Sequence, residues 1–149
     1  MKMLLFVSLL FIVRSVHAEY VLPYPSYMPG NKLYNLTRMI DKIENYWYFG
    51  PIAQTKYHLK LSDKYLVEAK TLFEYEQYLL AVDALSRSDS QFSALSASKI
   101  VREAAQKHRE VLEALLSAVP SEFIWAPEKT APTTLDIKGL LLRALTLRK

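Results

Sequence analysis

The sequence predicts an all-α protein: a three- to four-helix bundle, built from a helical hairpin plus a long helix, with an extended Pro/Tyr arm before it and an amphipathic helix at the C-terminus. Three observations predict this class. Apolar residues recur at spacings of three and four along most of the 149-residue chain. Only three residues are glycine, which leaves little material for the turns of an all-β fold. The seven prolines fall within 23–29, at 51 and within 120–132, between the periodic stretches.

The first 18 residues have the pattern of a secretory signal peptide. Lys2 supplies a positive charge, an apolar run extends from Met3 to Val13, and small residues precede a cleavage site after Ala18. The run is far shorter than the roughly 20 residues needed to span a bilayer. We therefore expect cleavage near Ala18 and a mature protein that is secreted or extracytoplasmic, in the periplasm or the cell envelope.

Residues 19–32 form the predicted arm, because its three prolines remove backbone donors and restrict the residues that precede them. The predicted helical domain follows at 33–119. Its first helix carries one apolar stripe and ends where Gly50 and Pro51 interrupt the periodicity. The stripe consists of Leu33, Leu36, Ile40, Ile43 and Trp47.

The second helical region has a heptad pattern, which predicts that it packs against a partner helix. The sequence leaves open whether residues 51–86 form one helix or a hairpin, because neither Gly nor Pro lies near 75–77. A tight turn there, followed by a short helix over about 77–85, is the favoured interpretation. The heptad positions are Ile52, Leu59, Leu66, Phe73 and Leu80.

Serines are concentrated in residues 86–98, and they compete for the backbone hydrogen bonds of a helix. We therefore predict a turn there, with a new helix that begins near Asp89 or Ser90. An apolar stripe from Ala94 onward predicts one long helix of about eight turns that ends at Pro120.

The last part of the chain divides into two predicted segments. Residues 120–133 contain Pro127 and Pro132 and are expected to form a linker. Residues 134–149 return to helical spacing and are expected to form the C-terminal amphipathic helix.

Composition excludes several kinds of chemistry. The chain has no cysteine, so it has no disulfide, thiolate nucleophile or Cys-ligated metal. It also lacks a glycine-rich phosphate loop and a G-x-S-x-G elbow, and we expect no enzyme, no catalytic residues and no cofactor. His58 and His108 have neither a histidine nor a carboxylate three or four residues away, so we expect no metal site.

The formal net charge of +4 does not indicate a nucleic-acid partner. Residues 19–134 carry 13 basic and 14 acidic residues, so the excess lies in the predicted signal peptide and in the C-terminal tail. A neutral body in an exported protein predicts no nucleic-acid binding.

Five phrases of the sequence resemble, in order, a family of uncharacterised bacterial envelope proteins known as domain of unknown function 5667. They are YVLPYP at 20–25, PGNKLYNL at 29–36, HLKLSD at 58–63, LVEAK at 66–70 and HREVL at 108–112. The resemblance implies an exported, mostly helical bacterial domain without an established activity.

Two groups of side chains are candidate binding residues. Tyr46, Trp47 and Tyr48 form an aromatic cluster with Phe49 that could stack on a sugar. Alternatively, Trp47 fits the core stripe, and Tyr46 and Tyr48 then lie at the edges of that stripe. The C-terminal helix combines an apolar face with basic residues, so it could dock on its own bundle, on a partner or on an anionic membrane surface. The residues assigned to the partner are Ile137, Leu141, Leu145 and Arg148.

His108 is the third candidate because it interrupts an otherwise apolar seam. An imidazole at such a position must be hydrogen-bonded, partly exposed or neutral, so His108 is either a satisfied core or edge histidine or a pH switch. Taken together, the sequence favours a non-enzymatic extracytoplasmic protein-interaction or scaffolding module that binds another envelope protein. The alternative is a small-ligand or glycan-binding envelope domain that uses the aromatic residues 46–49. The oligomeric state is left open.

Overall fold

The computed structural model describes residues 19–149, and the predicted signal peptide at 1–18 lies outside the described residues. The protein is mostly helical, as predicted, but it also contains a small antiparallel sheet, so a purely all-α class is wrong. In chain order the elements are α1 (Tyr34–Glu44), α2 (Pro51–Glu74), α3 (Tyr78–Ser93), α4 (Lys99–Ala118), β1 (Glu122–Trp125), β2 (Thr133–Asp136) and α5 (Ile137–Leu147).

The centre of the fold is a hairpin of α2 and α3, which share the most extensive helix-to-helix contact. α2 begins at Pro51, whose missing N–H costs nothing in the first turn of a helix. The residue before it, Gly50, has φ of 86°, a conformation that glycine adopts without strain. A short 3₁₀ turn, Asn45–Trp47, extends α1 toward this junction.

The turn between α2 and α3 resolves the question of one helix or two in favour of a hairpin. The N–H of Gln77 donates to Leu72 O (2.9 Å), and the N–H of Glu76 donates to Phe73 O (3.0 Å). This pair of bonds is a Schellman motif, which ends a helix with a residue in the left-handed region. Glu76 has φ of 58°, so a glutamate occupies the position where glycine is favoured.

The predicted helix start near Asp89 or Ser90 is wrong, because α3 continues to Ser93 and α4 begins only at Lys99. The turn predicted within residues 86–98 lies at 94–98. Within α3 the hydroxyl of Ser90 donates to the backbone oxygen of Ser86 (2.9 Å), so the helix accommodates its serines. The helix start lies instead at Ser98, whose side chain accepts the N–H of Val101 (3.3 Å).

The predicted linker also contains regular structure. β1 and β2 pair in antiparallel register, with Glu122 opposite Asp136 and Trp125 opposite Thr133. Both strands are rich in aromatic and β-branched residues, and Pro127 and Pro132 lie in the loop outside the paired positions. α5 therefore begins at Ile137, where Asp136 caps it by accepting the N–H of Gly139 (2.8 Å).

One large apolar core lies between α2, α3, α4 and α5. The N-terminal arm, residues 19–33, has neither helix nor strand, and its Leu22 and Met28 pack against this core. The most deeply buried apolar residues, each at most 1% exposed, are Leu66, Ala69, Ala81, Ala84, Ala104, Leu112, Ile137, Leu141 and Ala144.

Candidate functional site

The apolar face of the C-terminal helix is occupied within the protein itself. Ile137 and Leu141 are fully buried against α3 and α4, and Leu145 is half-buried at the edge of the same core. The three outcomes that the sequence left open therefore reduce to docking on the bundle. The face assigned to a partner or to a membrane surface is not exposed in this arrangement.

Arg148 anchors this helix through a buried polar network. Its side chain is 1% exposed. Its Nε donates to His108 Nδ1 (3.0 Å), one terminal nitrogen donates to Asp89 Oδ1 (2.6 Å) and to Ala144 O (2.9 Å), and the other donates to Ser88 Oγ (3.0 Å). The sequence placed Arg148 on an interaction face, whereas the structure makes it a link between α3, α4 and α5.

His108 connects that link to α2 and to the arm. Its Nε2–H donates to Asp63 Oδ1 (2.6 Å), while Tyr20 OH donates to Asp63 Oδ2 (2.5 Å). Since the guanidinium of Arg148 can only donate, His108 Nδ1 must accept, which fixes the neutral tautomer with its proton on Nε2. Burial lowers the pKa of His108 below its usual 6.5; the hydrogen bond to Asp63 opposes this effect, and the charge of Arg148 adds to it.

The network joins α2, α3, α4 and α5 through buried polar side chains. Ser62 and Ser88 are fully buried and bond to each other's backbone, with Ser88 Oγ donating to Ser62 O (2.8 Å). Phe92 covers the cluster, since its ring lies 4.9 Å from the guanidinium carbon of Arg148 and 5.4 Å from the ring centre of His108. The chemical change that this network can undergo is protonation of His108. A proton on His108 Nδ1 would remove the acceptor of the hydrogen bond from Arg148.

A second set of polar contacts determines how α1 sits on the hairpin. Tyr34 OH donates to Glu68 Oε1 (2.7 Å) and accepts from a terminal nitrogen of Arg87 (2.8 Å). Further along α1, Asp41 forms an ion pair with Lys64 of α2. The bundle-facing side of α1 is therefore polar: its buried residues are a tyrosine and an aspartate, rather than the predicted apolar stripe.

Two more contacts complete this attachment. Glu44 Oε2 lies 2.6 Å from Lys60 Nζ, and the hydroxyl of Tyr57 donates to the backbone oxygen of Asp41 (2.6 Å). The signal that could have revealed it is in the sequence: Asp41 and Glu44 are three residues apart, and Lys60 and Lys64 are four apart, so each pair shares one face of its helix.

Since the polar side of α1 faces the bundle, the apolar side faces solvent. We call this surface the outer face of α1. The prediction that its stripe belongs to the core is wrong, because each of these side chains is 44% to 72% exposed. The outer face consists of Leu33, Leu36, Met39, Ile40, Ile43 and Trp47.

The aromatic cluster continues this surface beyond the helix. Trp47 is 72% exposed instead of buried in the core, and Tyr46 and Phe49 are also exposed. Tyr48 differs, since it is half-buried with its ring centre 5.2 Å from that of Tyr57. The structure thus brings Tyr46, Trp47 and Phe49 to the surface and uses Tyr48 for packing.

Basic side chains border the outer face of α1. Lys32, Arg38 and Lys42 form no ion pair with any carboxylate in residues 19–149. Asp41 and Glu44, the two acids of α1, are already bound to lysines of α2. The border of this apolar surface therefore has a positive charge.

Two further observations concern residues 19–149 as a whole. No helix in this range is both long and apolar enough to cross a membrane. No group of three or more His, Asp or Glu residues in the same range is arranged to hold a metal ion.

The fold and the site define a helical module with an internally docked C-terminal helix and an exposed apolar surface on α1. Residues 26–122 match the model of the family described as domain of unknown function DUF5667, which confirms the resemblance seen in the sequence. The chain belongs to this family. Neither a curated protein nor a solved structure matches the chain.

Proposed function

We propose that the protein is a non-enzymatic, exported interaction or scaffolding module of the cell envelope, and that it docks through the outer face of α1. The observation that carries this proposal is the orientation of α1. An ordinary surface helix buries its apolar stripe, whereas α1 buries Tyr34 and Asp41 and exposes its stripe. Contiguous exposed apolar surface of this kind is typical of docking sites.

The attachment of α1 supports the same proposal. A helix held only by apolar contacts could rotate to bury its stripe, but here Glu68, Lys64 and Lys60 of α2 each bind a polar side chain of α1. Rotation would break these bonds and leave Glu68, which is 2% exposed, without its tyrosine partner. The orientation is therefore specified, and the apolar face is presented to the surroundings.

In-cell photo-crosslinking tests the proposal. A photoreactive amino acid replaces Ile40 on the outer face of α1 in one variant, and Ile100 on α4 in a matched control. The two side chains have nearly equal exposure, 45% and 44%, so accessibility alone does not distinguish them. We expect a discrete lipid or protein adduct from position 40 and none from position 100. Equal labelling at both positions, or adducts only within the chain, would contradict the proposal.

The second candidate function is binding of a glycan or another small ligand. Exposure of Tyr46, Trp47 and Phe49 favours it, because sugar rings stack on exposed aromatic faces. A shallow groove of about 460 Å³ lies between the first turns of α2 and the segment before α4, and Gln54, Thr55 and His58 line it. Fluorescence titration with cell-wall fragments tests this candidate: saturable quenching that Trp47→Ala abolishes would support it, and unchanged emission would reject it.

A further inference from the structure

We infer that the partner of the outer face of α1 is an anionic lipid surface. This inference deepens the proposed function and rests on it, since it names what the exposed stripe contacts. Helices that lie in a membrane interface combine a strongly amphipathic pattern, Leu, Phe and Trp on the apolar side, and Lys or Arg on the polar side. α1 and the turn after it have all three features.

Charge complementarity is the first argument for lipid. Residues 31–64 carry six basic side chains, Lys32, Arg38, Lys42, Lys56, Lys60 and Lys64, against three acids. All three acids are engaged: Asp41 binds Lys64, Glu44 binds Lys60, and Asp63 binds His108. Four of the six cations, Lys32, Arg38, Lys42 and Lys56, therefore form no ion pair within residues 19–149. The unpaired cations therefore favour contact with phosphate groups of an anionic headgroup layer.

The exposed aromatic residues beside the stripe are the second argument. The stripe of α1 leads directly into Trp47 and Phe49, and Ile52 at the start of α2 is 75% exposed beyond them. Tryptophan is enriched at the level of the headgroups, where its apolar ring and its polar N–H are both satisfied. No helix in residues 19–149 can span a bilayer, so contact at the interface is the mode that this surface allows.

The same charges disfavour a second copy of the chain as the partner. A symmetric dimer uses the same patch on both subunits, so it would bring two sets of Lys32, Arg38 and Lys42 to one interface. No free carboxylate of this patch would meet them, because Asp41 and Glu44 are already paired. Repulsion between these cations opposes self-association.

Vesicle co-sedimentation of the purified mature chain tests the inference. The probes are vesicles of phosphatidylcholine alone and of phosphatidylcholine with an equal part of phosphatidylglycerol. We expect at least about tenfold stronger partitioning to the anionic vesicles, weakened by salt. The double variant Arg38→Gln with Lys42→Gln should lose roughly 30-fold, since each cation near the surface contributes a factor of about five.

Matched variants separate this surface from the rest of the molecule. Arg102→Gln with Arg109→Gln removes the same charge from α4, and Ile100→Ser matches Ile40→Ser in exposure. We expect about tenfold weaker partitioning for Ile40→Ser and no change for either α4 control. All of these side chains are at least partly exposed, and circular dichroism verifies that each variant is folded.

Three results would overturn the inference. The first is equal partitioning to neutral and anionic vesicles, and the second is equal losses of partitioning from the α1 and α4 variants.

The third result is absence of partitioning to either kind of vesicle. The crosslinking experiment then shows whether lipid alone is rejected or whether docking through the outer face of α1 is rejected as well. A discrete protein adduct from position 40, or a dimer in sedimentation velocity that Ile40→Ser dissociates, would leave docking intact and reject lipid. The absence of any adduct would reject docking as well.

Discussion

Replacing Arg148 with methionine is predicted to destabilise the protein strongly. Methionine keeps most of the side-chain length and removes the guanidinium. His108 Nδ1 then loses its donor at 3.0 Å, and Asp89 loses its ion pair at 2.6 Å. An ion pair of a surface arginine contributes very little to stability, so the prediction depends on the burial of Arg148.

The expected loss of free energy of unfolding follows from the side chains that Arg148→Met leaves without a partner. Removing one partner of a buried ion pair costs about 3–5 kcal/mol. The Asp89 side chain is 27% exposed and can regain water, which places the expected loss near the lower end, about 3 kcal/mol. Since each 1.4 kcal/mol is a factor of about ten, the folding equilibrium constant should fall more than about 100-fold.

Urea denaturation followed by far-ultraviolet circular dichroism measures this loss. Arg143→Met is the matched control, because Arg143 lies on the exposed side of the same helix and forms no ion pair within residues 19–149. We expect the control to change the free energy of unfolding by less than about 0.5 kcal/mol. A loss for Arg148→Met no larger than that of Arg143→Met would refute the assignment of Arg148 to the buried network.

Three other changes test the packing, the turn and the titration. Leu141→Ala should lower the free energy of unfolding by about 2–5 kcal/mol, whereas Leu142→Ala, at a residue 54% exposed, should lower it by less than about 1 kcal/mol. Urea denaturation midpoints measure both losses, and equal losses would contradict docking of α5 on the bundle. Glu76→Gly should raise the free energy of unfolding by about 1 kcal/mol, because it relieves a left-handed conformation; a decrease would contradict the turn. Because burial holds the pKa of His108 below 6.5, the contribution of His108 to the free energy of unfolding should fall by up to about 1.4 kcal/mol between pH 7.5 and 5.5, measured as the difference between wild type and His108→Gln.

The sign of the pH prediction follows from proton counts. Below pH 6.5 the unfolded chain binds a proton at His108 that the folded chain does not, so acid favours unfolding. Burial raises the pKa of Glu68 and of Asp89, which has the opposite effect on stability. The difference between wild type and His108→Gln isolates the histidine, and a difference that does not vary with pH would end its role as a pH-sensitive group.

Helical periodicity predicted the helical content because spacings of three and four depend only on local geometry. Periodicity identifies which residues share a face, but not which direction that face points. For α1 the stripe from Leu33 to Trp47 was therefore assigned to the core, although the helix binds the bundle through Tyr34 and Asp41. The orientation depends on lysines of α2, about 20 residues later in the chain.

The errors at the serine-rich stretch and at the linker have related causes. Serine disfavours a helix interior only weakly, and Ser88 gains buried bonds to Ser62 that outweigh this preference. In the linker, Pro127 and Pro132 were correctly assigned to a loop, but Phe123 to Trp125 pair with a second strand beyond that loop. Both outcomes depend on partners that are distant in sequence.

The buried network could be predicted only in part. The sequence identified His108 as a polar residue in an apolar seam, where an imidazole must be hydrogen-bonded, partly exposed or neutral. The partners are Asp63, 45 residues earlier, and Arg148, 40 residues later, and nothing in local spacing connects these three positions. Their convergence is a property of the tertiary fold.

The environment of Trp47 on contact with anionic vesicles tests the central claim most directly, since this side chain lies on the proposed docking surface. The chain has two tryptophans, so Trp125→Phe leaves Trp47 as the single reporter. With vesicles of phosphatidylcholine and phosphatidylglycerol, the account predicts a shift of Trp47 emission to shorter wavelength and quenching by lipids brominated in their acyl chains. Emission that stays unchanged at vesicle concentrations where the protein sediments with the lipid would contradict docking through the outer face of α1.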